Sequence, residues 1–236
     1  VLVATMDAEL PALAAASTAT GLATGTINAT VSGNTVSGIG YTGTAGFGPV
    51  GIHVTSGVAN TNNVIASNRV SDISSNGGAA GSLARGIAVG GATSDLMIER
   101  NDVQNIVNTS TGTFPAYGLD LSGGDNVVVR NNFVSGVNFD MTGGAAFSTG
   151  SGVFGIRVGA GTGHRIYNNS VNLGGALPGT PAASLLTAAF GIVAATSTDV
   201  DVRGNVFANN VTGGTTSVAH VAAYLPAGGT SAMNLT

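Results

Sequence analysis

The chain has 236 residues, is 43% hydrophobic and only 8% charged, carries a net charge of −4, and contains neither Cys nor Trp. That length and apolar share suffice for a substantial core, while the missing Cys exclude a disulfide framework and thiolate-bound zinc. All seven basic residues are Arg and none forms a basic run, so nothing is available to neutralise a phosphate backbone and nucleic acid is not an expected partner.

The N-terminus opens on Val1-Leu2-Val3 without Met, basic n-region or hydrophobic h-region, and reads as a mature or excised start, not a signal peptide. Leu10 to Ala16 alone offers helical propensity, and it is short. Residues 1–20 are therefore expected to form an irregular or incomplete first coil. No window approaches the roughly 18 consecutive apolar residues of a membrane helix, so no membrane insertion is expected.

From residue 21 a frame repeats. Asn34, Asn68, Asn101, Asn132, Asn169 and Asn205 are separated by 34, 33, 31, 37 and 36 residues. Each has an apolar residue three positions before it (Val31, Ile65, Ile98, Val129, Ile166, Val202) and two positions after it (Val36, Val70, Val103, Val134, Val171, Phe207). Self-similarity at this period marks stacked supersecondary units, none of which buries its apolar side alone.

Within each unit a first strand reads Gly-apolar-x-apolar: Gly51-Ile52-His53-Val54, Gly86-Ile87-Ala88-Val89, Gly118-Leu119-Asp120-Leu121, Gly155-Ile156-Arg157-Val158, and a further, weaker copy at Gly191-Ile192-Val193-Ala194. Alternation at period two predicts strands. A second alternating segment follows, as in Leu96-Met97-Ile98 or Val127-Val128-Val129, and a third strand ends on Ile39, Ile73, Ile106 or Val137. Six residues before each repeated Asn stands Asn28, Asn62, Asp95, Asn126, Gly163 or Asp199. These types tolerate left-handed backbone or bond their own turn, so each unit has two sharp corners at fixed places.

Short strands, tight corners and one running direction describe an all-β parallel β-helix of about six to seven coils. In it the Asn side chains stack as an internal ladder with a spacing of about 4.8 Å. Length variation falls at one corner, in loops 40–50, 74–85, 107–117, 138–154 and 175–190. Tyr117, Phe154 and Phe190 precede a strand Gly and are placed to seal these loops, among which Phe47 and Phe147 also fall. The solenoid is expected over residues 21–212, with 213–236 a partial last coil that continues beyond the segment.

The G-I-x-V…V-x-I-x-x-N-x-V-x-x-I frame resembles the right-handed parallel β-helix repeat proteins, the pectate-lyase-like superfamily in the broad sense. Arg130-Asn131-Asn132-Phe133-Val134 and Arg203-Gly204-Asn205-Val206-Phe207 are similar to strands of large secreted bacterial surface proteins of that type. The resemblance implies a fold and an extracellular or cell-surface location. It also implies two alternative activities: a structural or adhesive segment, self-associating end to end or binding glycans, or a polysaccharide lyase or glycoside hydrolase with catalytic coils partly outside the segment. Fold alone does not decide between them.

Placing the charges on the frame brings four acids beside Arg of adjacent coils: Asp120 with Arg157, Glu99 with Arg130, Asp102 with Arg69, and Asp201 with Arg165. Exposed pairs of this kind contribute about 0 to 1 kcal/mol each. No outward column sets two carboxylates in neighbouring coils, as acid/base hydrolysis requires. His53 is two rungs from Asp120, about 9.6 Å, and His164 and His220 have no Ser and carboxylate company; all three read as surface histidines. No catalytic residue and no cofactor is assigned. Arg130, Tyr167 and Arg203 share a column and form an expected cation–π stack. They are ligand-binding candidates together with Asp120 and Arg157, while Asp95 and Asp125 are the one candidate for a cation.

Overall fold

The repeated frame folds into three parallel sheets that the chain visits in the order A, B, C on every turn. The computed structural model describes residues 18–43, 48–77, 82–110, 114–139, 152–177, 185–214, 218–225 and 233–235. Among these there is no helix; Leu10–Ala16, Phe47 and Phe147 lie outside them.

Sheet A contains β1 (Thr18–Leu22), β4 (Val50–Val54), β7 (Ala84–Val89), β10 (Ala116–Leu121), β13 (Gly152–Val158), β16 (Leu185–Ile192) and β19 (Val218–Tyr224). Sheet B contains β2 (Thr30–Ser32), β5 (Val64–Ala66), β8 (Met97–Glu99), β11 (Val128–Arg130), β14 (Arg165–Tyr167), β17 (Val200–Arg203) and β20 (Met233–Leu235). Sheet C contains β3 (Thr35–Tyr41), β6 (Arg69–Ser75), β9 (Asp102–Asn108), β12 (Phe133–Phe139), β15 (Ser170–Leu177) and β18 (Val206–Gly213). The six repeated Asn mark rungs that bound about five full turns, so the expected six to seven coils counted rungs as turns.

The corner between sheets B and C is always two residues long, and it holds the ladder. From Asn68 onward each Asn accepts on its Oδ1 both the backbone N–H and the side-chain amide of the Asn one coil earlier: Asn68 donates to Asn101 at 3.0 and 2.9 Å, and Asn101 to Asn132 at 2.9 and 3.0 Å. The series runs unbroken from Asn34 to Asn205. The amide also donates to a sheet-B carbonyl of the preceding coil, as Asn132 does to Ile98 at 3.0 Å. Thus the side chains satisfy one another and the bent backbone together.

The left-handed residue at this corner is the one before each Asn: Gly33, Ser67, Arg100, Asn131, Asn168 and Gly204 all have φ between 53 and 70°. The Asn themselves are not the turn formers. At the corner between sheets A and B the expected column does turn left-handed, with Asn28, Asn62, Asp95, Asn126, Gly163 and Asp199 all at positive φ.

The interior is one continuous stack of aliphatic columns, including Ile52, Ile87, Leu119 and Ile156 from sheet A, Ile65, Ile98, Val129 and Ile166 from sheet B, and Val70, Val103, Val134 and Val171 from sheet C. The strand Gly sits at the inner corner between A and C: a Cβ on Gly51, Gly86, Gly118 or Gly155 would lie well inside 3.0 Å of the Cγ1 of Val70, Val103, Val134 or Val171. The backbones approach so closely there that only hydrogen fits.

Two expectations about this strand are corrected. In β16 the equivalent of Gly155-Ile156-Arg157-Val158 is Ala189-Phe190-Gly191-Ile192, two residues earlier than the pattern match at Gly191. Phe190 is thereby a core residue, stacked on Phe207 with ring centroids 5.1 Å apart and planes at 7°; the misreading arose because Phe190 takes the Ile place and Ala189 the Gly place. The expected loops 107–117, 138–154 and 175–190 are likewise trimmed by strand residues at their ends, so Tyr117, Phe154 and Phe190 belong to sheet A and not to loops. Length variation does fall between sheets C and A, where β12 ends at Phe139 and β13 starts at Gly152, while β18 ends at Gly213 and β19 starts at Val218.

Candidate functional site

Strand alternation breaks at the strand Gly, so the residue before it faces outward and the outer face of sheet A carries two adjacent columns. One runs Val50, Arg85, Tyr117, Phe154, Ala188, Val221, and the other His53, Ala88, Asp120, Arg157, Gly191, Tyr224. This face is not a solvated one. Asp120 is 2% exposed, Tyr117 2% and Phe154 0%, and Tyr117, Phe154, Leu186 and Ala188 form a second apolar cluster outside the coil.

Within that face Arg157 donates from Nη1 to Asp120 Oδ1 at 2.7 Å, and its guanidinium lies 4.9 Å above the Tyr117 ring. Arg85 approaches the other oxygen, Asp120 Oδ2, only to 3.8 Å. Burial drives the Tyr117 phenol far above its ordinary value, against the opposing pull of Arg157. His53 is held below its ordinary value by burial first and by the neighbouring Arg85 second, so it is neutral at physiological pH. The expected Asp120–Arg157 pair therefore forms, but buried instead of exposed.

The outer face of sheet B carries the column Ala66, Glu99, Arg130, Tyr167, Arg203. Glu99, 6% exposed, accepts a fork from Arg130, Nε at 2.8 Å and Nη2 at 2.7 Å, and a further bond from Arg100. Instead of stacking between two guanidinium groups, Tyr167 donates its hydroxyl to Asp201 Oδ2 at 2.8 Å, and Arg203 Nε donates to Asp201 Oδ1 at 2.7 Å. Arg203 and Tyr167 together hold the Asp201 carboxyl below its ordinary value, Arg203 contributing most. Two expected pairs thus change partner. Arg165 reaches Asp199 at 3.2 Å instead of Asp201, and Asp102 accepts from Gln104 of its own strand at 2.7 and 2.9 Å instead of from Arg69. A neighbour two residues along the strand, on the same face, competes successfully with one across it.

At the A–B corner Asp95 accepts the backbone N–H of Asn60 at 3.0 Å and the Asn126 amide at 3.4 Å. Asp125 accepts from the Thr162 N–H at 2.7 Å and hydroxyl at 3.1 Å. Each carboxylate therefore braces the turn of an adjacent coil. Among the described residues no three of His, Cys, Asp and Glu gather as a metal site.

Two of the histidines are not surface groups. His164 is fully buried; its Nδ1 faces the Val127 N–H at 3.3 Å and its Nε2 the Ala160 carbonyl at 2.9 Å, which assigns the proton to Nε2. Its pKa is lowered, chiefly by burial. His220 lies in an inward column of β19 beside Thr187, 2.8 Å from its hydroxyl, and Asn209 bonds the same hydroxyl at 2.9 Å. The sequence pattern missed His164 because its neighbours in the column are aliphatic, Val127 and Val200.

Arg85 was absent from the expected site residues. The signal for it lay in the pattern already used for Tyr117 and Phe154, since Arg85 also directly precedes the strand Gly.

Compared with known proteins, the chain matches no protein-family model, no curated protein and no solved structure. The parallel solenoid is therefore carried by its own geometry, and the pectate-lyase-like assignment has no support from these comparisons.

Proposed function

We propose that the chain is a structural or adhesive solenoid segment of a secreted or surface-displayed bacterial protein. One observation carries this reading: the acids best shielded from water are each committed to a basic or phenolic partner of the coil. Asp120 is bonded by Arg157 and Glu99 by Arg130 and Arg100, and Asp201 is bonded by Arg203 and Tyr167. Carboxylates held this way act as acceptors that tie coils together, whereas glycoside hydrolysis needs two carboxyl groups facing each other across the bond to be cleaved. The uninterrupted Asn ladder is in keeping with a regular rod of stacked coils.

Two measurements test it. Antibody labelling of intact source cells carrying the full-length gene product should detect this segment from outside. Incubation with uronate-containing and neutral polysaccharides should release neither unsaturated products nor new reducing ends. Turnover that disappears in Asp120→Asn would overturn the proposal in favour of an enzyme.

A further inference from the structure

Of the charged side chains buried on the outer faces, Arg85 alone among the described residues has no hydrogen bond. Its side chain is 17% exposed and its only charged neighbour, Asp120 Oδ2, stands at 3.8 Å. Its Nε is buried and unpartnered, as is the Nε of Arg157. Glu99, Asp199 and Asp201 engage the guanidinium groups of Arg100, Arg130, Arg165 and Arg203, and Arg69 is exposed to water. A guanidinium withdrawn from water without acceptors is costly, and the local charge does not close: Arg85 and Arg157 against Asp120 leave one positive charge, with His53 neutral.

The strand register sets further polar groups beside Arg85. Three coils are involved, Arg85 on β7, Asp120 on β10 and Arg157 on β13, with His53 one coil before on β4. In the column His53, Ala88, Asp120, Arg157 the small residue is Ala88. His53 and Asp120 thus stand about 9.6 Å apart at strand spacing, with Arg85 beside the interval. Asp120 Oδ2 and the neutral imidazole both retain acceptor capacity for hydroxyl groups.

We infer that Arg85, Asp120, Arg157 and His53 form a binding site for a hydroxylated monocarboxylate. The carboxylate takes the Arg85 fork, in the planar geometry that guanidinium offers to two oxygens, and adjacent hydroxyls donate to Asp120 Oδ2 and His53. One negative charge on the ligand balances the residual positive charge. The site would serve an adhesive segment or an enzyme alike, so its failure and that of the preceding proposal are distinguishable.

The seven Arg give seven Nε–H signals in a nitrogen–proton correlation spectrum, and Arg85→Lys identifies the one belonging to Arg85. The intact chain is titrated with sodium gluconate, with methyl glucuronide as its sodium salt, with glucose and with sodium chloride. The Arg85 and Arg157 signals should move saturably with either carboxylate and not with glucose. The carboxylate that saturates at lower concentration tells whether the natural source is a free acid or a glycan residue. Arg85→Gln should weaken binding about tenfold or more, the loss expected for a charge-assisted pair, whereas Arg69→Gln should leave it unchanged. An Arg85 signal that moves linearly, as with sodium chloride, or that glucose moves equally, overturns the inference. The wild-type titration decides even if Arg85→Gln fails to fold.

Discussion

Asn63 and His164 perform one task three coils apart in the same inward column. Asn63 Oδ1 accepts the backbone N–H of Ala29 at 2.8 Å, and His164 Nδ1 accepts that of Val127 at 3.3 Å, each from the coil before. The second polar atom of each side chain bonds a carbonyl of the A–B turn, Thr26 for Asn63 and Ala160 for His164. An amide and a neutral imidazole are thus interchangeable here, except that only one of them titrates.

A pH dependence follows. The His164 pKa is below its ordinary value of 6.5 in the folded chain, so near that pH the unfolded chain binds more protons than the folded one. Stability contributed by neutral His164 is fully present above about pH 6.5 and falls as the pH drops below it. His53 is lowered too and acts with the same sign. Thermal unfolding at a series of pH values between about 7.5 and 5 should show His164→Asn losing less stability than wild type on acidification. At neutral pH the same variant should be near wild type, whereas His164→Val leaves the Val127 N–H without an acceptor and should cost about 1 to 3 kcal/mol.

Inside the ladder the expected penalty depends on position. Asn132 accepts two bonds from Asn101 and donates to Asn169 and to Ile98, so Asn132→Ala strands buried partners on both sides. A loss of about 3 kcal/mol or more is expected from leaving several buried groups unpaired. Asn34 is the first rung, half-exposed, with donors to Asn68 and Ser32, and Asn34→Ala should cost about 1 kcal/mol or less. Chemical denaturation of the two variants gives the comparison; equal losses would mean that the rungs do not act as a continuous stack.

The ladder was legible in the sequence because the Asn and its flanking apolar positions keep fixed spacing from coil to coil. The three-sheet architecture followed from the same regularity. What escaped were substitutions at positions whose immediate neighbours differ in character: Phe190 in an Ile column, His164 between Val127 and Val200, and Arg85 where neighbours are Val and Tyr. Pair partners also escaped. Strand register sets Asp201 beside Arg165, but its own-strand neighbour Arg203 and the Tyr167 hydroxyl reach it instead. Register fixes which Cα atoms are adjacent, while long side chains choose among several acceptors within reach.

Gly118 tests the close approach of sheets A and C. A Cβ there would meet the Val134 Cγ1 and the Gly155 carbonyl, both inside 3.0 Å, and the carbonyl belongs to backbone that is itself paired in the sheet. Gly118→Ala should therefore cost about 1 to 3 kcal/mol through overpacking. Gly174→Ala is the control, since nothing lies within 4 Å of the added carbon. Restoring space with Gly118→Ala plus Val134→Ala should recover part of the loss in a double-mutant cycle, because the two residues share one contact.

Ser67 offers a stabilising change at the B–C corner. Its φ is 55°, in a column where other coils use Gly33, Arg100, Asn131, Asn168 and Gly204. The left-handed conformation costs an ordinary L-residue about 1 to 2 kcal/mol, whereas Gly pays little there but loses more freedom on folding, about 0.4 to 1 kcal/mol. The corner is also retained by the backbone, since the Ser67 N–H donates to the Glu99 carbonyl at 3.0 Å irrespective of side chain. Ser67→Gly should therefore raise stability by up to about 1 kcal/mol, and Ser67→Val, β-branched at positive φ, should lower it by more than that. A calorimetric melting series over Gly, Asn, Ser and Val at this position orders the variants. A series in which Val matches Gly would show that the corner relaxes out of the left-handed region and that the column is not conformationally enforced.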